Sequence, residues 1–170
     1  PFTNYRTDFL DIFIGSKCNF VISTSTGWDA VPSIMFRKPI LICPMIPLGN
    51  LFTFSSNFML TTSNLLNQKN KKLSQTEIFN SNLISSFESK DYVNSRYNLI
   101  ENSSEDILDA VNDFLKYLNN KEIDLKDNKV FWNLYKKNII KYKLHQFHGE
   151  LKAIISPTFL KKNINFPSLN

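Results

Sequence analysis

Apolar positions come in short runs separated by polar stretches, and the spacing inside each run predicts a helix or a strand. Thr7 caps a predicted helix that opens with Asp8, with Phe9, Leu10, Phe13 and Ile14 on its buried face and Gly15 or Ser16 ending it. Residues 20–22 form an apolar strand of the kind found in parallel sheets covered on both faces. Residues 23–27 make a hydroxyl-rich turn. Residues 28–36 then take helical spacing, with Trp28, Val31, Ile34 and Met35 inward and Pro32 early enough to be tolerated. Residues 40–43 read as the next strand, after which Pro44 and Pro47 send the chain into a loop.

The second half follows the same alternation. Residues 52–60 read as loop with a short strand near 58–60, and residues 67–72 as a polar turn. Ser74 and Glu77 have capping-box spacing and open a helix through Ile78 and Phe79. Residues 97–101 read as a strand. Ser103 and Asp106 cap the clearest helix, with Ile107, Val111, Phe114, Leu115 and Leu118 in register and Asn119 and Asn120 closing it. Residues 130–144 form a basic amphipathic helix with Phe131, Leu134 and Tyr135 inward. Ser156-Pro157 marks a last helix start. The expected fold is therefore α/β: a Rossmann-like, three-layer domain with a parallel sheet over residues 1–125, and a helical extension over 126–170 packed on it.

Composition narrows the class. A chain of 170 residues with 42% hydrophobic and 21% charged positions has material for one real core. It begins at Pro1, and the expectation is a fragment of a longer enzyme. Residues 39–68 hold no charge, yet prolines and glycine break them before a membrane span is reached. The two cysteines, Cys18 and Cys43, read as reduced, partly buried thiols. Most of the formal charge of +5 lies in the second half. That basic edge is either a solvated face or a peripheral contact with an anionic membrane. Nucleic acid ranks last as a partner, because the lysines are not interleaved with aromatics in a recognisable module.

The chemistry centres on Ser23, Thr24, Ser25, Thr26 and Gly27. A turn of hydroxyls and glycine between a strand and a helix leaves backbone N–H groups unpaired where the helix dipole favours an anion, and a phosphate is the expected ligand. An ordinary connection, with Gly27 supplying a positive φ, is the competing reading. His145 and His148 lack further ligands for a metal site, so no metal is expected. The turn lacks the glycine-flanked serine elbow of a hydrolase.

In ordered pieces the chain resembles a family of bacterial glycosyltransferases of surface-polysaccharide biosynthesis, and looks like the C-terminal half of such an enzyme. The pieces are Arg6-Thr-Asp8-Phe-Leu-Asp11, Phe20-Val-Ile-Ser-Thr-Ser-Thr-Gly27, Phe36-Arg-Lys-Pro39-Ile, Leu73-Ser-Gln-Thr-Glu77-Ile, Ile100-Glu101-Asn102-Ser-Ser-Glu105-Asp-Ile and Ile155-Ser156-Pro157-Thr-Phe159-Leu160. The resemblance implies a GT-B-like architecture whose C-terminal domain holds a nucleoside-diphosphate sugar. It assigns Ser23, Thr24, Ser25, Thr26 and Gly27 to the diphosphate, with Trp28 beside them, and makes Arg6 and Glu101 candidate donor contacts. Trp28 and the Cys43-Pro44-Met45 segment depart from the family pattern.

Each assignment has a plainer counterpart. Arg6 pairs with Asp8 or Asp11, Glu101 is a polar strand end, and Trp28 is a core aromatic. The expected activity is transfer of a sugar from the nucleotide donor to a glycan or lipid-linked acceptor, at the cytoplasmic face of the cell membrane. No cofactor is expected: an Asp-x-Asp metal motif is absent, and amides and hydroxyls can stabilise the leaving diphosphate. A nucleotide-sugar epimerase or hydrolase of the same fold and a non-catalytic phosphate- or glycan-binding module are the alternatives.

Overall fold

A computed structural model describes residues 7–51, 57–141 and 152–164. The fold is mixed α/β, with a four-stranded parallel sheet in the order β1-β2-β3-β6 flanked by helices. Its strands are β1 (Val21–Ser23), β2 (Ile40–Met45), β3 (Phe58–Thr62) and β6 (Ile154–Ile155). A separate antiparallel ribbon joins β4 (Asn64–Leu66) to β5 (Asn98–Ile100). The strand expected over residues 97–101 thus exists, but outside the main sheet.

Side-chain alternation along the strands builds two cores. Ile40, Ile42, Phe58, Leu60 and Ile155 face one side, where α2 (Gln75–Asn80), α5 (Lys126–Lys141) and α6 (Pro157–Asn163) supply Phe79, Phe131, Tyr135 and Phe159. Leu41, Cys43 and Met59 face the other, against Ala110 and Phe114 of α4 (Ser104–Leu118). All five β3 residues are buried, which is why the charge-free segment tolerates no ion. Tyr135 donates its hydroxyl proton to the Leu48 carbonyl at 2.9 Å, so its burial leaves no orphaned polar group.

Local signals explain the helix starts. Ser74 and Glu77 form a reciprocal capping box on α2, and Ser103 and Asp106 form another on α4. Thr7 accepts the Leu10 N–H at the start of α1 (Asp8–Lys17). The expected end of α1 moves, since Gly15 lies inside the helix and packs it on Val31 and Pro32. The expected inner face of α1 moves as well: Phe9, Phe13 and Ile14 are exposed. The helix expected over residues 28–36 is instead a π-helical turn, Val31–Met35. Pro32 has no N–H for the Trp28 carbonyl, which takes the Val31 N–H instead, and the wider turn points Pro32 and Ser33 inward rather than Ile34 and Met35. Sequence patterning also missed α3 (Ser89–Ser95), none of whose residues is buried.

The region after residue 125 does more than pack on the sheet, because it returns β6 to pair with β3. Two side chains fasten it. Asp113 of α4 accepts from the Ser156 hydroxyl at 2.8 Å and the Thr158 N–H at 2.9 Å, closing the start of α6. Asn128 donates to the Ile155 carbonyl and accepts the Ile155 N–H, both at 2.8 Å. Those are the groups of β6 that point away from β3, so the Asn128 amide substitutes for a further strand. Removing it orphans two buried backbone groups. Asn128→Ala is expected to lower unfolding stability by about 2–4 kcal/mol in urea titration, whereas exposed Asn133→Ala changes it little.

Candidate cleft at the carboxyl ends of the parallel strands

The 23–27 turn leaves the carboxyl end of β1, at the sheet edge where ligands of open α/β folds gather. Its hydroxyls divide into two roles. Ser23 donates to the Asp29 carboxylate at 2.7 Å and accepts the Ser25 N–H at 3.0 Å, so it shapes the turn from within. Asp29 is buried at 5% exposure, and the Ser33 hydroxyl donates to its carbonyl. Ser25 and Gly27 take positive φ of 68° and 88°, folding the turn tightly back on itself. Thr24, Thr26, Gly27 and Trp28 are exposed, and among the described residues their amides enter no backbone hydrogen bond.

Those open amides contrast with the helix starts around them. The first turns of α2, α4 and α6 are closed by Ser74 with Glu77, Ser103 with Asp106, and Ser156 with Asp113. Glu105 and Asp106 also place negative charge in the first turn of α4, between the cleft residues Asn102 and Ile107, which disfavours an anion there.

A cleft of about 390 Å³ opens beside the turn. Thr24 borders it from β1, Cys43 and Pro44 from β2, Ser63 from the end of β3, and Leu99, Glu101 and Ile107 from the β5–α4 region. Two residues that the sequence placed in a donor site, Thr24 and Glu101, therefore meet on one cavity. Asn102 sets that geometry: it donates to the Thr62 carbonyl at 2.9 Å and accepts from the Thr61 hydroxyl, fastening the residue after Glu101 to the end of β3. Ser23, Ser25, Thr26, Gly27 and Trp28 do not border the cavity. Arg6, His145 and His148 lie outside the described residues.

The lining is apolar on one side, through Pro44, Ile46, Leu99 and Ile107, and polar at Thr24, Glu101 and Asn102. Among the described residues it includes no lysine or arginine, so an anion there would rely on hydroxyl and amide donors. Among the described residues no group of three or more His, Cys, Asp or Glu is placed to hold a metal ion. A smaller apolar cavity of about 30 Å³ adjoins the cleft and shares Ile46, Ser63 and Leu99 with it. The Ser63 hydroxyl is buried there without a hydrogen-bond partner among the described residues.

Sequence reasoning did not single out Asp29, Ser63 or Asn102 for this region, and marked Cys43 only as part of a departure from the family pattern. Asn102 carried one signal, its position between a strand and a capping box. The others depend on which strands become neighbours. No family model, curated protein or solved structure matches the chain. No described helix is long and apolar enough to cross a membrane.

Burial pushes the Cys43 thiol up to about 11, against a smaller opposing effect of its hydrogen bonds with Thr61. A folded-state value above the unfolded one means that stability is fully present below about pH 9 and falls as pH rises toward 11. The loss is expected to be on the order of 2 kcal/mol and to be smaller in Cys43→Ala, measured by urea unfolding across that range. In the native protein at pH 8, iodoacetamide is expected to leave Cys43 unmodified by peptide mass mapping.

Proposed function

We propose that this chain binds a nucleoside-diphosphate sugar in the cleft, as the donor-binding part of a glycosyltransferase with a Rossmann-like, GT-B-like architecture. The observation that carries this reading is the convergence of Thr24 and Glu101 on one cavity at the carboxyl ends of β1, β2 and β3. The acceptor would be a surface glycan or its lipid-linked precursor, met at the cytoplasmic side of the membrane.

Three kinds of surface suit three parts of such a donor. The open amides of Thr24, Thr26, Gly27 and Trp28, with the exposed Thr24 and Thr26 hydroxyls, suit the diphosphate. Glu101 is an acceptor for the paired hydroxyls of a ribose, held beside the cleft by the Asn102 clasp. Ile46, Leu99 and Ile107 offer an apolar wall to the flat base. When the bond from the anomeric carbon to the diphosphate oxygen breaks, negative charge grows on the leaving group. Donors already aimed at that charge stabilise it without reorganising. The buried Asp29 carboxylate turns its charge toward the Ser23 hydroxyl, so the repulsion it offers a phosphate is partly offset.

Calorimetric titration of the chain with nucleoside diphosphates tests this. Thr24→Val and Glu101→Gln are each expected to weaken binding roughly tenfold. Gly27→Val is expected to weaken it further, because a β-branched residue strains a backbone held at φ 88°. No measurable binding, or affinity indifferent to all three substitutions, removes the proposal.

A further inference from the structure

The two edges of the parallel sheet are finished differently. At β6 the outward N–H and C=O of Ile155 are both taken by the Asn128 side chain. At β1 nothing equivalent exists among the described residues. The Val21 N–H bonds to the Pro39 carbonyl, so Val21 and Ser23 face β2 and the N–H and C=O of Ile22 point out of the sheet. Ile22 is 50% exposed, although it lies in register beside Leu41, which is fully buried. A free edge of this kind is a template for another strand.

The elements before and after β1 in sequence also expose apolar side chains. α1, which leads into β1, rests on the π-helical turn through Gly15 and leaves its large side chains in water: Phe9 is 75% exposed and stacks on Phe13 at 6.0 Å. Ile12, Ile34 and Met35 are exposed too. With Ile22, these six side chains leave on the order of 600 Å² in solvent, most of the ~800 Å² that each partner of a standard interface contributes. Single exposed apolar residues are ordinary, but these six, on an unpaired strand and the two elements that flank it in sequence, are more than isolated exposure accounts for.

We infer that a second copy of this chain docks on the β1 edge, related by a two-fold axis through Ile22. The strand is self-complementary in that arrangement. Antiparallel pairing sets Ile22 opposite Ile22 of the copy, where the two exchange both N–H···O bonds and so satisfy all four outward groups. The four-stranded sheets then join into one of eight strands, four from each copy. The same axis runs α1 antiparallel to its copy, opposing the acidic start at Asp8 to the basic end at Lys17. One axis therefore closes the open edge, covers the Phe9–Phe13 face and pairs opposite charges. The inference does not depend on what the cleft binds.

Sedimentation equilibrium of the full chain across the micromolar range tests it. The expected result is a monomer–dimer equilibrium. Ile22→Pro removes the outward N–H without touching the bonds to β2, and is expected to leave a monomer with unchanged circular dichroism. Phe9→Glu, at a position already in water, is expected to weaken the dimer at least tenfold, whereas Phe87→Glu, at an exposed aromatic just before α3, leaves it unchanged. Should Ile22→Pro misfold, Phe9→Glu decides alone. A wild-type chain that stays monomeric, species larger than a dimer, or a dimer indifferent to Phe9→Glu overturns the inference.

Discussion

The burial of β3 on both faces is the constraint that the rest of the molecule answers. Its five side chains and those of the neighbouring β2 leave no solvent-facing side, so helices must cover both surfaces. One face receives α4, and the other receives α2, α5 and α6. A strand buried in this way also needs backbone partners along both edges. β2 supplies one, and the other comes from β6, which the chain delivers only after a long excursion through the ribbon and four helices. Two residues of β6 would pair weakly alone. The Asp113 and Asn128 side chains, themselves buried, hold that short return in place.

The same constraint makes the cleft. Parallel strands bring their carboxyl ends to one edge, and each connection leaving that edge delivers its first residues to a shared space. Thr24, Cys43 and Ser63 arrive there in this way. Glu101 arrives differently, at the end of the antiparallel ribbon, and the Asn102 clasp on Thr61 and Thr62 brings it to the parallel sheet. The result is a cavity with an apolar wall and a polar corner, beside a turn whose exposed amides beyond Thr24 lie outside it, and its described lining carries no cation. On the proposed reading the turn meets the anionic part of the ligand and the apolar wall its flat ring. That division, rather than any sequence match, is what supports a nucleotide-sugar reading.

Much of the local architecture was legible in the chain. The capping boxes at Ser74 and Ser103, the Thr7 cap and the Ser156-Pro157 start all stand in the structure, because each needs partners only three residues away. The apolar runs of β1, β2 and β3 were legible for the same reason. Thr24 and Glu101 could be singled out one at a time, as a hydroxyl in a turn and an acid after a strand. Their meeting across a separation of 77 in sequence number could not, since it depends on sheet order.

The alternation of elements, their starts, and the absence of charge through residues 39–68 were fixed locally, by short-range hydrogen bonding and the need to bury apolar side chains. Long-range packing alone settled which face of α1 points to water and that Ile154 and Ile155 form a strand at all. The physical reason is the same in each case. Those outcomes rest on contacts between segments far apart in the chain, and a local pattern carries no information about which distant surface will arrive to complete it.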